Sequence, residues 1–158
     1  MYTLLYNSPI GPLWLTSDGA ALTGLYMQDP GGLPPADPVV ALDTACSWLD
    51  AYFQGLQPPI NTLPLSPAGT EFQQLVWKLL PIIPYGETRS YGQIAQEVAL
   101  RMGRERMSPQ AVGGAIGRNP IAIIIPCHRV VGANSAMTGY AWGISKKEWL
   151  LRHEEDTK

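Results

Sequence analysis

Residues 57–67 hold four prolines in eleven positions, at Pro58, Pro59, Pro64 and Pro67. Proline fixes φ and removes a backbone donor, so such a run enters neither a helix interior nor a central strand. No single core element can run through the middle of the chain, and the patterns on the two sides differ. Upstream, residues 3–6, 13–16 and 21–27 read as short strands separated by turn signals at Pro9-Ile10-Gly11-Pro12 and Asp18-Gly19. After a second turn-rich stretch, Asp29-Pro30-Gly31-Gly32-Leu33-Pro34-Pro35, the pair Asp37-Pro38 supplies a cap and an early proline for a helix over 39–53. These signals predict a small α/β domain over residues 1–60, a linker over 61–69 and a second domain over 70–158.

Downstream the period becomes helical. Phe72, Leu75, Val76, Leu79 and Leu80 share one face of a helix over 70–80. Ser90-Tyr91 opens another through Ile94, Ala95 and Val98, and Ser108-Pro109 opens a third through Gln110, Val112 and Ile116. Short helices joined by tight turns are what a helix-turn-helix requires. Residues 121–125 (Ile-Ala-Ile-Ile-Ile) are too short and too β-branched for a helix, and are expected as a buried strand or extended segment. A glycine-rich loop over 132–143 precedes a last helix over 145–153.

Charge divides along the same line. Residues 1–69 carry Asp18, Asp29, Asp37, Asp43 and Asp50 and no Lys or Arg; residues 70–158 carry all eleven Lys and Arg against eight acids. The net −2 thus conceals a basic half, which is where a polyanion would bind. No stretch approaches the roughly 20 apolar residues of a membrane span. The opening Met1-Tyr2-Thr3-Leu4 lacks the pattern of a secretory leader, and the expected location is the cytoplasm. There Cys46 and Cys127 stay thiols.

Chemistry concentrates in Pro126-Cys127-His128-Arg129-Val130. A cysteine that closes an apolar segment and follows a proline has a fixed backbone, as a nucleophile for in-line attack needs. A buried structural thiol is the alternative. His128 favours the reactive reading because a thiol needs help to become a thiolate at neutral pH. Neighbouring residues point apart, so that base is expected to work through a water or a tight turn, with Glu154 or His153 to orient it. Two histidines and one nearby cysteine do not make a zinc set, and no metal is expected. Gly113-Gly114 inside a helix costs about 0.8–1.0 kcal/mol per residue relative to alanine. That cost points to close approach of a backbone, either a groove of DNA or a neighbouring helix. Cys46 reads as a buried helix residue.

The segment Pro126–Val130 resembles the active-site signature of the O6-alkylguanine-DNA alkyltransferases. Ordered matches extend the resemblance: Phe72-Gln73-Gln74-Leu75-Val76-Trp77, Pro84-Tyr85-Gly86-Glu87, Ser90-Tyr91, Ala111-Val112-Gly113-Gly114-Ala115, Arg118-Asn119-Pro120, Thr138-Gly139-Tyr140 and Lys147-Glu148-Trp149-Leu150-Leu151-Arg152-His153-Glu154. The resemblance implies a ribonuclease-H-like α/β N-terminal domain and a mainly α, winged-helix-like C-terminal domain with a helix-turn-helix. It implies a monomer without cofactor or obligate protein partner, acting on double-stranded DNA through the minor groove with the alkylated base flipped out. The alkyl group passes from guanine O6, or in second place from thymine O4, to the protein, once and irreversibly.

By the same resemblance Cys127 is the nucleophile, His128 takes its proton through a water, and Glu154 orients and charges His128. Asn119 is the hinge beside the active-site segment, and Tyr91 helps rotate the nucleotide and donates to the departing guanine. Val130, Met137, Tyr140, Ala141 and Trp142 line the pocket, with Ala141 offering its N–H to O6. Gln110, Ala111, Gly113, Gly114, Arg118 and Arg129 are implied to meet DNA.

Two positions depart from the family pattern. Gln110 stands where an arginine fills the gap left by the extruded nucleotide, and glutamine lacks its charge and planar fork. Arg101, Arg104 and Arg106 are candidates to compensate on phosphates. Trp142 stands where many relatives have glycine, and its ring is expected to narrow the pocket against bulky adducts. Two other functions remain open from the residues alone: a non-catalytic alkyl-base-binding module, which Cys127 opposes, and a cysteine hydrolase, which needs an oxyanion hole not legible here.

Overall fold

The computed structural model describes residues 1–34 and 39–158, and the chain forms two compact units. The expected cap at Asp37-Pro38 lies outside the described residues. The first unit comprises residues 1–68 with 120–124 and 157–158. Three strands, β1 (Tyr2–Ser8), β2 (Gly11–Ser17) and β3 (Leu22–Tyr26), form an antiparallel meander in the order β1-β2-β3. The β1–β2 hairpin closes with Ser8 opposite Gly11, whose φ of +109° suits a residue without Cβ. At the next corner the Asp18 carboxylate accepts from the amides of Ala20 and Ala21.

Helix α1 (Val40–Phe53) packs on this sheet. Its Ala41, Leu42, Ala45, Trp48, Leu49 and Tyr52 recur at the three- and four-residue spacing of one helical face, and all are buried. Leu13, Leu15, Leu22 and Leu25 complete that core from the strands. Full burial of each such side chain contributes roughly 1.5–3 kcal/mol. Cys46 sits half-buried on α1 and not in the core, with its thiol pushed up to about 11 by burial and by Asp50 and Asp43.

The remaining edge of β3 is covered by two separate segments. Leu22 N–H donates to Pro64 O and Ser66 N–H to Leu22 O, each at 2.8 Å, so part of the expected linker pairs with the sheet. Further along, Leu25 N–H donates to Pro120 O at 2.8 Å and Ile121 bridges Leu25. The expected strand over 121–125 goes no further. Ile123 has φ +70° and Ile124 N–H donates to Ala122 O at 2.8 Å, which makes a γ-turn of the rare positive-φ kind. The run is apolar because it is buried from every side, and periodicity alone does not separate a buried strand from a buried turn.

The second unit comprises residues 69–119 and 125–156. Its helices are α2 (Glu71–Leu79), α3 (Tyr91–Arg101), α4 (Pro109–Gly117) and α5 (Ile144–Thr157), the last ending at the first unit's boundary. Thr70 and Ser90 each form a reciprocal capping box with Gln73 and Gln93, and Ser108 Oγ caps Ala111 N–H ahead of Pro109. Val76, Trp77 and Leu79 of α2, Ile94 and Val98 of α3, and Val112, Ala115 and Ile116 of α4 form the core. Trp77 Nε1–H donates to Ala115 O at 2.8 Å, satisfying the indole and joining α2 to α4. Two-residue strands β4 (Arg89–Ser90) and β5 (Val130–Val131) pair in parallel. Among the described residues this unit carries that parallel pair and no antiparallel hairpin.

Replacing Thr70 by alanine removes one half of a capping box at a distance from the chemistry described below. The expected loss is about 1 kcal/mol, read as a lowered urea midpoint with an unchanged slope.

Candidate active site

Every polar group of the site belongs to the second unit. Pro126, at φ −82° and ψ +66°, makes an inverse γ-turn in which Cys127 N–H donates to Ile125 O at 2.8 Å. The same carbonyl accepts from Asn119 Nδ2 at 2.8 Å, so the second residue after α4 holds the approach to the cysteine. Cys127–Arg129 then form one 3-10 turn before β5. Successive side chains of such a turn diverge by about 120°. Cys127 and His128 accordingly point apart, and the thiol faces Asn119.

His128 is fully buried, and its Nε2 meets Glu154 Oε2 at 2.5 Å. Arg129 clamps the same carboxylate, with Nε 2.8 Å from Oε1 and Nη2 3.3 Å from Oε2, while Nη1 donates to Ile83 O. Gly86 N–H adds a donor to Oε1 at 3.2 Å. Arg129 also lies 5.6 Å over the Tyr85 ring. Its expected place on DNA is therefore corrected: the guanidinium is buried and committed to Glu154, because a buried carboxylate needs a permanent cation. His153 stacks on Trp149 at 5.0 Å, and it is Glu154 that meets His128.

Burial alone would raise the Glu154 carboxyl, but His128 and Arg129 outweigh it and hold it well below the usual carboxylate range. For His128 burial dominates over the pull of Glu154 and lowers its basicity, so the imidazole rests neutral. An ionised carboxylate only accepts, hence Nε2 carries the hydrogen and Nδ1 is the bare lone pair. Nδ1 is buried and has no hydrogen-bond partner among the described residues. The Cys127 thiol is pushed up, chiefly by burial; Asn119, the Lys147 charge and the amides of residues 127 and 128 oppose this in part. The resting pair is a neutral thiol and a neutral base.

Lys147 completes the cluster and was not among the sequence candidates. It is fully buried on α5, and its Nζ donates to Val130 O at 2.6 Å and Thr138 O at 2.7 Å. Burial lowers its basicity while the neighbouring Cys127 raises it. The sequence held a usable signal. Lys147, Leu150 and Glu154 share the single buried face of α5, where two charged residues are out of place unless they meet partners.

The other candidates take these places. Tyr91 Oη donates to Thr138 O at 3.2 Å and Gly139 O at 3.3 Å. Tyr140 Oη is buried without a hydrogen-bond partner among the described residues, and burial followed by Cys127 raises its phenol strongly. Val130 is buried, Met137 and Trp142 are half-buried and Ala141 is exposed. Gln110, Ala111, Gly114 and Arg118 are exposed on and after α4, and Gly113 is half-buried. A Cβ at Gly114 would meet nothing within 4 Å, which removes close helix packing as the reason for that glycine. Tyr91, Pro109, Gln110, Gly113, Thr138 and Gly139 line an open groove of about 340 Å³. Among the described residues no cluster of three or more metal-ligating side chains occurs, and no helix is long and apolar enough to cross a membrane.

Comparison with known proteins agrees along the whole chain. Residues 1–67 match the family described as 6-O-methylguanine DNA methyltransferase, ribonuclease-like domain, and residues 71–156 match its DNA binding domain. A methylated-DNA–protein-cysteine methyltransferase of Methanosarcina acetivorans is 45% identical over 159 residues, covering 98% of each chain. One from Mycobacterium leprae is 48% identical over 94% of this chain and 89% of its own. The crystal structure of Mycobacterium tuberculosis OGT in complex with DNA superposes with a TM-score of 0.87 at 44% identity, covering 99% of this chain and 94% of that one.

The protonation states set the pH dependence of stability. Folded His128 stays neutral where a free histidine, near 6.5, takes a proton; the unfolded chain then binds more protons, and stability falls as pH drops below that value. Glu154 acts in the same direction at lower pH, its contribution being lost as pH falls through its depressed value. Cys127 acts at the other end: it keeps its proton where a free thiol, near 9.0, loses it, so stability falls above that pH. The expected urea midpoint is flat between these limits and declines on both sides. A midpoint that rises on acidification from neutrality would contradict a neutral His128.

Proposed function

The chain belongs to the 6-O-methylguanine DNA methyltransferase family, and from that membership we propose that it repairs double-stranded DNA by moving an alkyl group, chiefly methyl, from guanine O6 to Cys127. The observation that carries this reading is the buried Cys127 turned away from a neutral His128 whose free Nδ1 is backed by Glu154. Such a pair is unreactive until a substrate and one bridging water complete it. Sγ then attacks the alkyl carbon in line with the breaking C–O6 bond, and the thiol proton passes through the water to Nδ1. Glu154 stabilises the imidazolium that forms. Guanine leaves with the electron pair of the C–O bond, hydrogen-bonded by Tyr91, with Asn119 bracing the segment. The proton lodged on Nδ1 returns through water to the purine and the Tyr91 hydroxyl, so that the thiol proton ends on guanine and Tyr91 and His128 are restored. The net step moves no proton out of the site. A thioether has no leaving route here, so each molecule acts once and needs no cofactor. O4-alkylthymine is the second substrate by the same chemistry.

The DNA-facing element in this reading is a helix-turn-helix of α3, residues 102–108 and α4. Helices α3 and α4 pack together, and α4 presents Gln110, Ala111 and Gly114 with Arg118 following; the bare Gly114 surface suits approach to the narrow minor groove. The flipped base enters a pocket bounded by Val130, Met137, Tyr140, Ala141 and Trp142, with Trp142 limiting adduct size. The cytoplasm is the location proposed, with residues 1–60 and 70–158 as domains joined at 61–69.

Titration with an oligonucleotide containing O6-methylguanine, followed by intact mass, tests the function. The expected result is a gain of one methyl group on Cys127 that stops at one per molecule, with Cys127→Ala binding the duplex unreacted. Binding of the lesion by the natural protein without any gain in mass would overturn the proposal. Gln110→Arg is expected to bind duplex DNA roughly tenfold more tightly and to transfer faster, the worth of one added charged hydrogen bond; equal affinity and rate would remove the role given to position 110.

A further inference from the structure

The groove beside α4 is lined by Tyr91, Gln110 and Gly139, whereas Cys127 is absent from its walls. Tyr91 is the wall residue that also neighbours Cys127, close enough to feel its charge. It is the first residue of α3, and its ring edge faces Gly113 of α4, where an added Cβ would just reach contact at 3.6–3.7 Å. From the other side the loop reaches it: Tyr91 Oη donates to both Thr138 O and Gly139 O. The loop is itself held from beneath, because Lys147 Nζ donates to Thr138 O at 2.7 Å and lies 5.8 Å over the Tyr91 ring. Gly139 permits the closure. Its φ is +68°, and a Cβ there would stand 2.8 Å from Tyr91 Oη, a separation that real Cβ atoms do not show.

We infer that the Tyr91 hydroxyl and the Thr138–Gly139 carbonyls form a latch that shuts the α4 groove off from Cys127 until an entering base replaces the carbonyls as acceptor. The inference rests on the reading that the base reaches Cys127 from the α4 side. The one phenolic hydrogen is shared between the two carbonyls, at 3.2 and 3.3 Å, longer than the 2.7–2.8 Å usual for a hydroxyl donor, so the closure is weak. Opening without a replacement hands the exposed hydroxyl to water, while a purine ring nitrogen takes the hydrogen bond directly. The latch thus yields to a base that accepts from Tyr91, whereas a small electrophile in solution reaches the thiol only in the open fraction. It makes the buried thiol selective before any chemistry begins.

The test is the rate at which iodoacetamide alkylates Cys127 in the DNA-free full chain, read by intact mass in a Cys46→Ser background. Tyr91→Phe keeps the ring and removes the donor. Gly139→Ala keeps the donor and forces the loop away from it. The expected result is alkylation roughly two- to tenfold faster in Tyr91→Phe, the range that one neutral hydrogen bond covers, with the inflection of its pH–rate profile unmoved. Gly139→Ala gives an independent second case should Tyr91→Phe fold poorly. Unchanged rates in the folded variants overturn the latch. Acceleration accompanied by a shifted inflection also overturns it, because it reports thiol acidity and not access. Transfer from O6-methylguanine DNA by the natural protein is measured alongside: loss of that transfer refutes the proposed function, whereas transfer with unchanged iodoacetamide rates refutes the latch alone.

Discussion

The carboxylate of Glu154 sits in the interior with three sets of donors around it: the His128 imidazole, the Arg129 fork and the Gly86 amide. A lone buried carboxylate would take up a proton in place of remaining charged. Arg129 prevents that, and in doing so keeps Glu154 available as an acceptor for His128. Removing one member of such a cluster typically costs about 3–5 kcal/mol, since the others are left buried and uncompensated. Adjacent positions thus divide the labour. Arg129 fixes the charge, His128 uses it, and the Cys127 side chain, on the same turn, points away from the imidazole.

Burial then sets the resting chemistry. It holds the thiol protonated and the imidazole neutral, the opposite of the thiolate–imidazolium pair that makes many catalytic cysteines permanently reactive. A protein that spends its nucleophile once is well served by a nucleophile that is idle until a substrate arrives. Lys147 and the two turn amides offset the burial in part, so the thiolate is disfavoured but its charge is anticipated by the site.

Much of this was legible in the residues. Helices α2, α3 and α4 follow from apolar spacing together with Thr70, Ser90 and Ser108 at their starts, since a cap and a period are both local properties. The meander of β1 to β3 follows from Pro9-Ile10 and Asp18-Gly19 in the same way. Residues 121–125 misled because five buried apolar residues carry no information about direction, and the reversal at Ile123 is imposed by the surroundings. Arg129 misled for a related reason: an arginine beside a reactive site of a basic half reads as a surface charge unless its partner, twenty-five residues away, is known to be buried. Lys147 was hidden inside a run of charged residues whose burial only the helix face discloses.

That helix face carries a consequence of its own. Lys147 and Glu154 are seven residues apart on α5, close to two full turns and about 10 Å along the axis, with Leu150 buried between them. The cation that biases the nucleophile and the anion that backs the base are therefore mounted on one rigid shaft. A single residue inserted between them would turn one by about 100° relative to the other, and no repacking of the turn at Cys127 could retrieve both. Along these seven residues the chain tolerates changes of side chain on the outer face far better than any change of count. The spacing is a fixed length standard, against which the rest of the site is set.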